Sequence, residues 1–162
     1  YCYSLLKEIS DAGHTIGIHS ASHDYEKIYA SVDAFLADFK EAYDIVLEAT
    51  GKAPDIYRFP GGSVNDYNTD TRDDIIAEMD RRGFTYFDWN VDSNDWQGYG
   101  WTTLYTNVLA DAQEFSTPVI LFHNTGDRDN TVLVIEDIIK ALKDKGYKFG
   151  SLSHKTEPIQ FQ

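Results

Sequence analysis

Two histidines stand four residues apart in the segment Gly17-Ile18-His19-Ser20-Ala21-Ser22-His23-Asp24, with small residues between them. In a helical turn, residues i and i+4 lie on one face, so both imidazoles can converge on a single metal ion. The small intervening residues leave the approach to that ion open. Neutral imidazoles suit zinc, cobalt or iron better than the hard cations, which prefer oxygen ligands. A catalytic centre of this kind adds a third protein ligand, often a carboxylate, and keeps one position for water. Taken alone, the spacing is equally that of two structural histidines, and the rest of the chain has to discriminate.

Further residues able to do chemistry follow at intervals. Arg58 precedes Phe59-Pro60-Gly61-Gly62; Asp92, Asp95 and Trp96 stand close together; Leu121 and His123 close an apolar run. Each has a plainer reading. Arg58 suits a salt-bridged arginine inside a barrel, Asp95 a helix cap, Trp96 simple packing, and His123 a hydrogen-bonded core histidine. His14 and His154 fall outside these groups and read as structural. The 11 tyrosines suit sugar stacking, although aromatics at helix and strand spacing more often belong to a core.

The elements that must position these residues alternate in period. Ser4 to Ala12 is amphipathic and stops at Gly13, and His14 to Ile18 reads as a strand leading into the histidines. A long helix is predicted from about Ser31 to Thr50, where Val32, Phe35, Leu36, Phe39, Tyr43, Val46 and Leu47 keep the 3–4 spacing, with Gly51 beyond its end. Ile56 to Phe59 is a strand, Thr71 to Arg82 a helix, and Phe84 to Val91 an aromatic strand. Thr102 to Phe115 is helical, Pro118 to His123 an apolar strand running into Asn124-Thr125-Gly126-Asp127, Thr131 to Lys145 a helix and Tyr147 to Leu152 the last strand. Strands alternating with helices of this length imply right-handed crossovers and a parallel sheet. The expected fold is α/β, a (β/α) barrel, with about five units of roughly 30 residues. A closed barrel needs on the order of 50 further residues. Every candidate residue then falls in the last residues of a strand or just after it, at the edge where parallel β/α folds place their sites. No glycine-rich phosphate loop opens a helix, which makes a nucleotide-binding doubly wound sheet the weaker alternative.

Composition narrows the functions. The chain has 162 residues, enough for one domain with a sizeable core, and its 42% hydrophobic and 25% charged residues are those of an ordinary globular protein. A net charge of −13, with 14 scattered Lys and Arg, argues against nucleic acid as a partner. No apolar run approaches the ~18 residues of a membrane span. Cys2 is the only cysteine, so no internal disulfide framework exists. The chain opens on Tyr1-Cys2-Tyr3, without an initiator methionine or a signal sequence, as a piece of a longer protein would.

His19-Ser20-Ala21-Ser22-His23, Arg58-Phe59-Pro60-Gly61-Gly62, Asp92-Ser93-Asn94-Asp95-Trp96 and Leu121-Phe122-His123 occur in that order. They resemble successive signature motifs of the polysaccharide deacetylases, the carbohydrate esterase 4 family, over nearly the whole chain. The resemblance implies a distorted (β/α) barrel that removes acetyl groups from N-acetylated or O-acetylated glycans with the help of a divalent metal, zinc first and cobalt or iron as alternatives. It makes His19 and His23 two of three metal ligands and His123 the general acid, with Asp95 holding and tuning it. Arg58 would position the catalytic base, the Gly61 N–H would assist at the oxyanion, and Trp96 and Leu121 would wall a slot for the acetyl methyl. The family's first motif, an Asp-Asp pair after the first barrel strand supplying the base and the third ligand, lies upstream of the His motif, and the chain is expected to begin too late to contain it; Asp24 does not replace it by pattern. The expectation is therefore a partial catalytic domain, residues 1–162, lacking its first one or two β/α units and inactive or nearly so by itself.

The expected substrate is an acetylated polysaccharide, peptidoglycan N-acetylglucosamine first, with chitin oligomers and acetylated xylan behind it. Such a substrate implies an extracellular or cell-surface location. A non-catalytic glycan-binding module on the same barrel is the alternative. An unrelated metal-dependent amidohydrolase is a third reading, but it needs further ligands that His14 and His154 are badly placed to supply.

Overall fold

Ser31 starts the longest helix by taking extended backbone while its hydroxyl accepts from Ala34 N at 3.1 Å. Gly51 ends it, at φ +69° with its N–H on Leu47 O, a left-handed conformation open to glycine without penalty. The computed structural model describes residues 3–126 and 129–162, so Cys2 and Asp127 lie outside the described residues. Along them run α1 (Tyr3–Asp11), α2 (Tyr25–Ile28), α3 (Val32–Thr50), β1 (Ile56–Tyr57), α4 (Arg72–Arg81), β2 (Thr85–Tyr86), β3 (Val91–Asp92), a 3₁₀ turn (Asp95–Gln97), α5 (Trp101–Ala112), β4 (Ile120–Leu121) and α6 (Asp129–Asp144). No helix among the described residues is long and apolar enough to cross a membrane.

The chain divides into two compact units. The first runs to Asp88 and includes Ser151–Gln162. In it β1 and β2 pair in parallel, Ile56 with Thr85 and Tyr57 with Tyr86, and Ile18 bridges to Tyr57 from the other side. The core is largely aromatic. Phe35 and Phe39 of α3 pack with Tyr57, Phe59 and Tyr86, with ring centroids 5.2–6.3 Å apart for Phe35–Phe59, Phe39–Tyr57, Tyr57–Phe59, Phe59–Tyr86 and Phe35–Phe39. Residues after 151 return to this unit: Asp88 N donates to Ile159 O, Phe161 N to the Asp88 carboxylate, and Arg72 to Phe161 O.

The second unit is Trp89–Gly150. There β3 and β4 pair in parallel, Val91 with Ile120 and Asp92 with Leu121. Leu104, Val108 and Ala112 of α5 bury against Val134, Ile138 and Leu142 of α6, an i, i+4, i+8 stripe on each helix.

Three sequence expectations need correction. His14–Ile18 is not a strand; only Ile18 bridges, in parallel to Tyr57, with its N–H on Ile56 O and its carbonyl accepting from Arg58 N, and a Cβ on Gly17 would come 3.0 Å from Ile56 Cγ1. The aromatic strand 84–91 is two strands, because the backbone changes partners midway. Phe87 N still donates to Tyr57 O, whereas Asn90 N and Val91 N donate to Val119 O, and the Asn90 side chain bonds both Thr117 O and Val119 N. Residues 147–152 form no strand: Tyr147 is held by its N–H on Leu142 O and its hydroxyl on Ala112 O and Phe115 O, which leaves no ladder to extend. Two short elements escaped the periodicity, α2 and the 3₁₀ turn, both too short to display a repeat.

Candidate active site

The His19–His23 segment is not a helical turn. Its residues are irregular, with a bend at Ala21–Ser22 and His23 at φ +53°, a conformation that costs a non-glycine residue energy and persists only where neighbours hold it. The neighbour is Asp38, a buried carboxylate on α3. It accepts from Ser20 Oγ at 2.6 Å, Ala21 N at 3.0 Å and Ser22 N at 2.9 Å, and Ser20 Oγ in turn accepts from His23 N at 2.8 Å. Burial alone would raise the Asp38 pKa; the hydrogen bonds from Ser20, Ser22 and the backbone outweigh it and hold the carboxyl below its ordinary value.

This loop still brings the two imidazoles together, centroids 5.2 Å apart and tilted by 56°. His19 Nδ1 lies 2.9 Å from Arg58 O. A carbonyl only accepts, so Nδ1 carries the proton and the lone pair is on Nε2, the tautomer that a metal-ligating histidine fixed by an outer hydrogen bond presents. The donor set thus fits a borderline-soft divalent metal as far as it goes. Among the described residues no group of three His, Cys, Asp or Glu is assembled to hold one.

Arg58 follows β1. Its Nε donates to Phe87 O at 2.9 Å and Nη2 to Asp88 O at 3.4 Å. Burial lowers its pKa, and the Asp88 charge pulls the other way. Asp88 is fully buried and accepts from Ser63 N at 2.8 Å and Ser63 Oγ at 2.6 Å, which anchors the far end of the Pro60-Gly61-Gly62 turn. Gly61 and Gly62 have φ of +77° and +85°, and a Cβ on Gly61 would sit 3.3 Å from the Tyr25 hydroxyl. His19, His23, Arg58 and Gly61 all belong to the first unit.

The second unit holds the other cluster. His123 Nδ1 lies 2.7 Å from Asp95 Oδ1; the imidazole is 38% exposed and the carboxylate 0%. With Nδ1–H donating to the carboxylate, Nε2 is the atom left to exchange a proton. Asp95 Oδ2 accepts from His123 N and Thr131 Oγ1, both at 2.8 Å. Burial raises the Asp95 pKa, and the backbone and side-chain bonds from His123 and the bond from Thr131 more than reverse that, so its pKa is lowered. Asp95 is therefore no helix cap: it opens the 3₁₀ turn but bonds across to the residues after β4 and into α6. Leu121 is buried, whereas Trp96 is 54% exposed. Asp92 accepts from Asn94 N at 2.8 Å and so shapes the turn before Asp95. His154 bonds Asp55, ahead of β1, away from the histidine pair in sequence and strand polarity.

Asp38, Asp88 with Ser63, Thr131 and Tyr25 were missed by sequence reasoning. Asp38 had a signal, since it interrupts the apolar stripe Phe35–Phe39–Ala42–Val46 on α3, and Thr131 similarly lies on the buried face of α6.

Comparison with known proteins agrees with this geometry. The family described as polysaccharide deacetylase matches residues 2–84, just over half of the chain. A peptidoglycan-N-acetylglucosamine deacetylase of Bacillus cereus is 29% identical over 164 residues, 97% of this chain and 57% of that protein. The catalytic domain of a peptidoglycan N-acetylglucosamine deacetylase from Eubacterium rectale superposes with a TM-score of 0.92 at 32% identity, covering 99% of this chain and 74% of that one. A mutant of BA3943, a pseudoenzyme of the same esterase family with restored enzymatic activity, has a TM-score of 0.74 at 25% identity, over 93% of this chain and 50% of that one. The chain spans about half the length of the curated relatives it matches, 54% and 57% for two of them. Its α/β fold is the distorted barrel of these deacetylase domains. Motif order, backbone and family match coincide, and the chain belongs to the polysaccharide deacetylase family.

Proposed function

We propose that this chain carries part of the machinery of a metal-dependent hydrolase that removes acetyl groups from glycan N-acetylglucosamine, with peptidoglycan as the substrate and the cell surface as its place of action. Support for the sugar comes from the names of the relatives. Support for the chemistry comes above all from one observation, the His123–Asp95 pair at 2.7 Å with its carboxylate fully buried and triply bonded. A binding module has no use for an imidazole whose proton position is set so closely.

In this reading His19 and His23 would hold the metal, which when bound would supply Lewis acidity toward the acetyl carbonyl; zinc suits two imidazoles best, ahead of cobalt or iron. His123 delivers a proton from Nε2 to the departing amine nitrogen, while Asp95 holds the ring through Nδ1. Arg58, fixed by two carbonyls, orients a carboxylate base, and the Gly61 N–H assists at the developing oxyanion. Leu121 and Trp96 flank the acetyl methyl. The same groups serve an O-acetyl ester, with an alkoxide in place of the amine.

Since the described residues assemble no third ligand beside the histidine pair, the 162-residue chain alone is expected to release little or no acetate. That absence, with the pseudoenzyme among the fold neighbours, favours a second reading, a glycan-binding module without chemistry. The test is acetate release from an N-acetylglucosamine oligomer with added zinc, by this chain and by a longer polypeptide that carries it. Release by the longer form, abolished by His123→Ala and by His19→Ala, is the expected result. Oligomer binding without release by either form would establish the second reading.

A further inference from the structure

We propose that Tyr67 and Tyr25 form a stacking subsite for a pyranose ring of the glycan, beside the histidine pair. This deepens the deacetylase reading and rests on it for the identity of the polymer.

The first unit carries a continuous run of ring contacts. His19 and His23 are 5.2 Å apart, His23 and Tyr25 5.3 Å, and Tyr25 and Tyr67 5.1 Å, the last pair edge-to-face at 63°. Tyr25 is pinned within this run. It opens α2 directly after Asp24, whose side chain accepts from Lys27 N, and its hydroxyl lies over the Gly61 turn.

Tyr67 stands on the outer side of Tyr25 and is 52% exposed, and Val64, at the start of the same loop, is 48% exposed. Burial does not hold this tyrosine in place; the loop does. Asn65 Oδ1 accepts from Tyr67 N and Asn68 N, and Asn65 Nδ2 reaches Pro60 O and Gly62 O. Asn68, 1% exposed, accepts from Asn65 N and donates to Ser63 O. Two asparagines thus build a rigid loop that presents a large aromatic ring to solvent, from the same turn that contributes Gly61. Ordered loops of this kind, set on a scaffold next to reactive groups, are where ligand contacts concentrate.

The ligand follows from the chemistry of the surface. Two phenol rings at a steep angle offer an apolar corner rimmed by two hydroxyls and no charge. A pyranose ring is its complement: C–H bonds on its faces, hydroxyls around its edge. An aromatic wall also needs no cationic anchor, which a chain of net charge −13 could spare least. The sugar placed here is a neighbour of the one at the histidines, so the subsite distinguishes a polymer from a monosaccharide.

The experiment compares the wild-type chain, Tyr67→Ala and Tyr67→Phe in titrations with N-acetylglucosamine and its β-1,4-linked tetramer, without added metal, by calorimetry or NMR. Tyr67 is exposed, and retained thermal unfolding verifies the fold of each variant. Tyr67→Ala is expected to weaken tetramer binding about five- to tenfold, the size of a lost aromatic stack, with monosaccharide affinity unchanged; Tyr67→Phe stays within about twofold of wild type. Equal tetramer affinity in Tyr67→Ala and wild type overturns the subsite, as does failure of the chain to bind the tetramer. Binding that depends on Tyr67 in a protein that releases no acetate in any form leaves the subsite standing and removes the deacetylase reading. Acetate release with binding indifferent to Tyr67 does the reverse.

Discussion

At the scale of single residues, the His19–His23 loop and the His123 imidazole take their geometry from buried carboxylates, Asp38 and Asp95. Asp38 gives the His19–His23 loop its shape through three accepted hydrogen bonds and, through Ser20, a fourth to His23 N. An amide at this position keeps one acceptor and replaces the other with a donor facing a loop N–H, that of Ala21 or of Ser22. Asp38→Asn is therefore expected to lower the zinc affinity of the histidine pair by about tenfold, the lower range for partners that orient metal ligands. Titration of zinc, followed through the His19 and His23 imidazole resonances, reads this directly, and unchanged affinity would show that the loop holds its shape without Asp38. Legibility at this scale was uneven. The candidate site residues were visible in the sequence because their types and order are chemically restrictive. Their supports were not, because one aspartate looks like another until its hydrogen-bond partners are known.

Among the elements, the longest helix was the most legible and the strands the least. For α3, 19 residues with a capping serine, an apolar stripe and a terminal glycine agree on one structure. Ser31→Ala removes the acceptor for Ala34 N and is expected to cost about 1 kcal/mol, read as a lowered unfolding midpoint in urea. The strands are two residues each, too short for period-2 alternation to mark their ends. Where 84–91 divides depends on whether Tyr57 or Val119 supplies the next acceptor, a choice made between segments far apart in sequence. The same limit explains His14–Ile18, where an alternating run met its neighbour at one bridge only.

For the molecule as a whole, charge is the property read most directly. At −13 the chain repels polyanions, whereas a run of N-acetylglucosamine units is uncharged. Affinity for the N-acetylglucosamine tetramer is expected to change by less than about twofold over an approximately tenfold range of salt, since the Debye length governs only charged partners. An anionic wall polymer, by contrast, is expected to bind more tightly as salt screens the repulsion. Calorimetric titrations at low and high salt separate the two, and a steep loss of tetramer affinity with salt would show that hidden charge attraction contributes.

The sequence by itself determined the α/β class, the positions of the long helices, the family and which side chains are candidates for chemistry. These depend on local periodicity, capping and short motifs, all of which act within a few residues of chain. Only the tertiary structure decided how the histidines meet: by a bent loop clamped from α3, 15 residues beyond His23, rather than by a helical turn. It likewise decided that Asp95 serves His123 and Thr131, 28 and 36 residues away, and that Tyr25 joins His23 to Tyr67. Hydrogen bonds and ring contacts of this kind are set by which segments the packed core brings within 3 to 5 Å, and spacing along the chain carries no record of that distance.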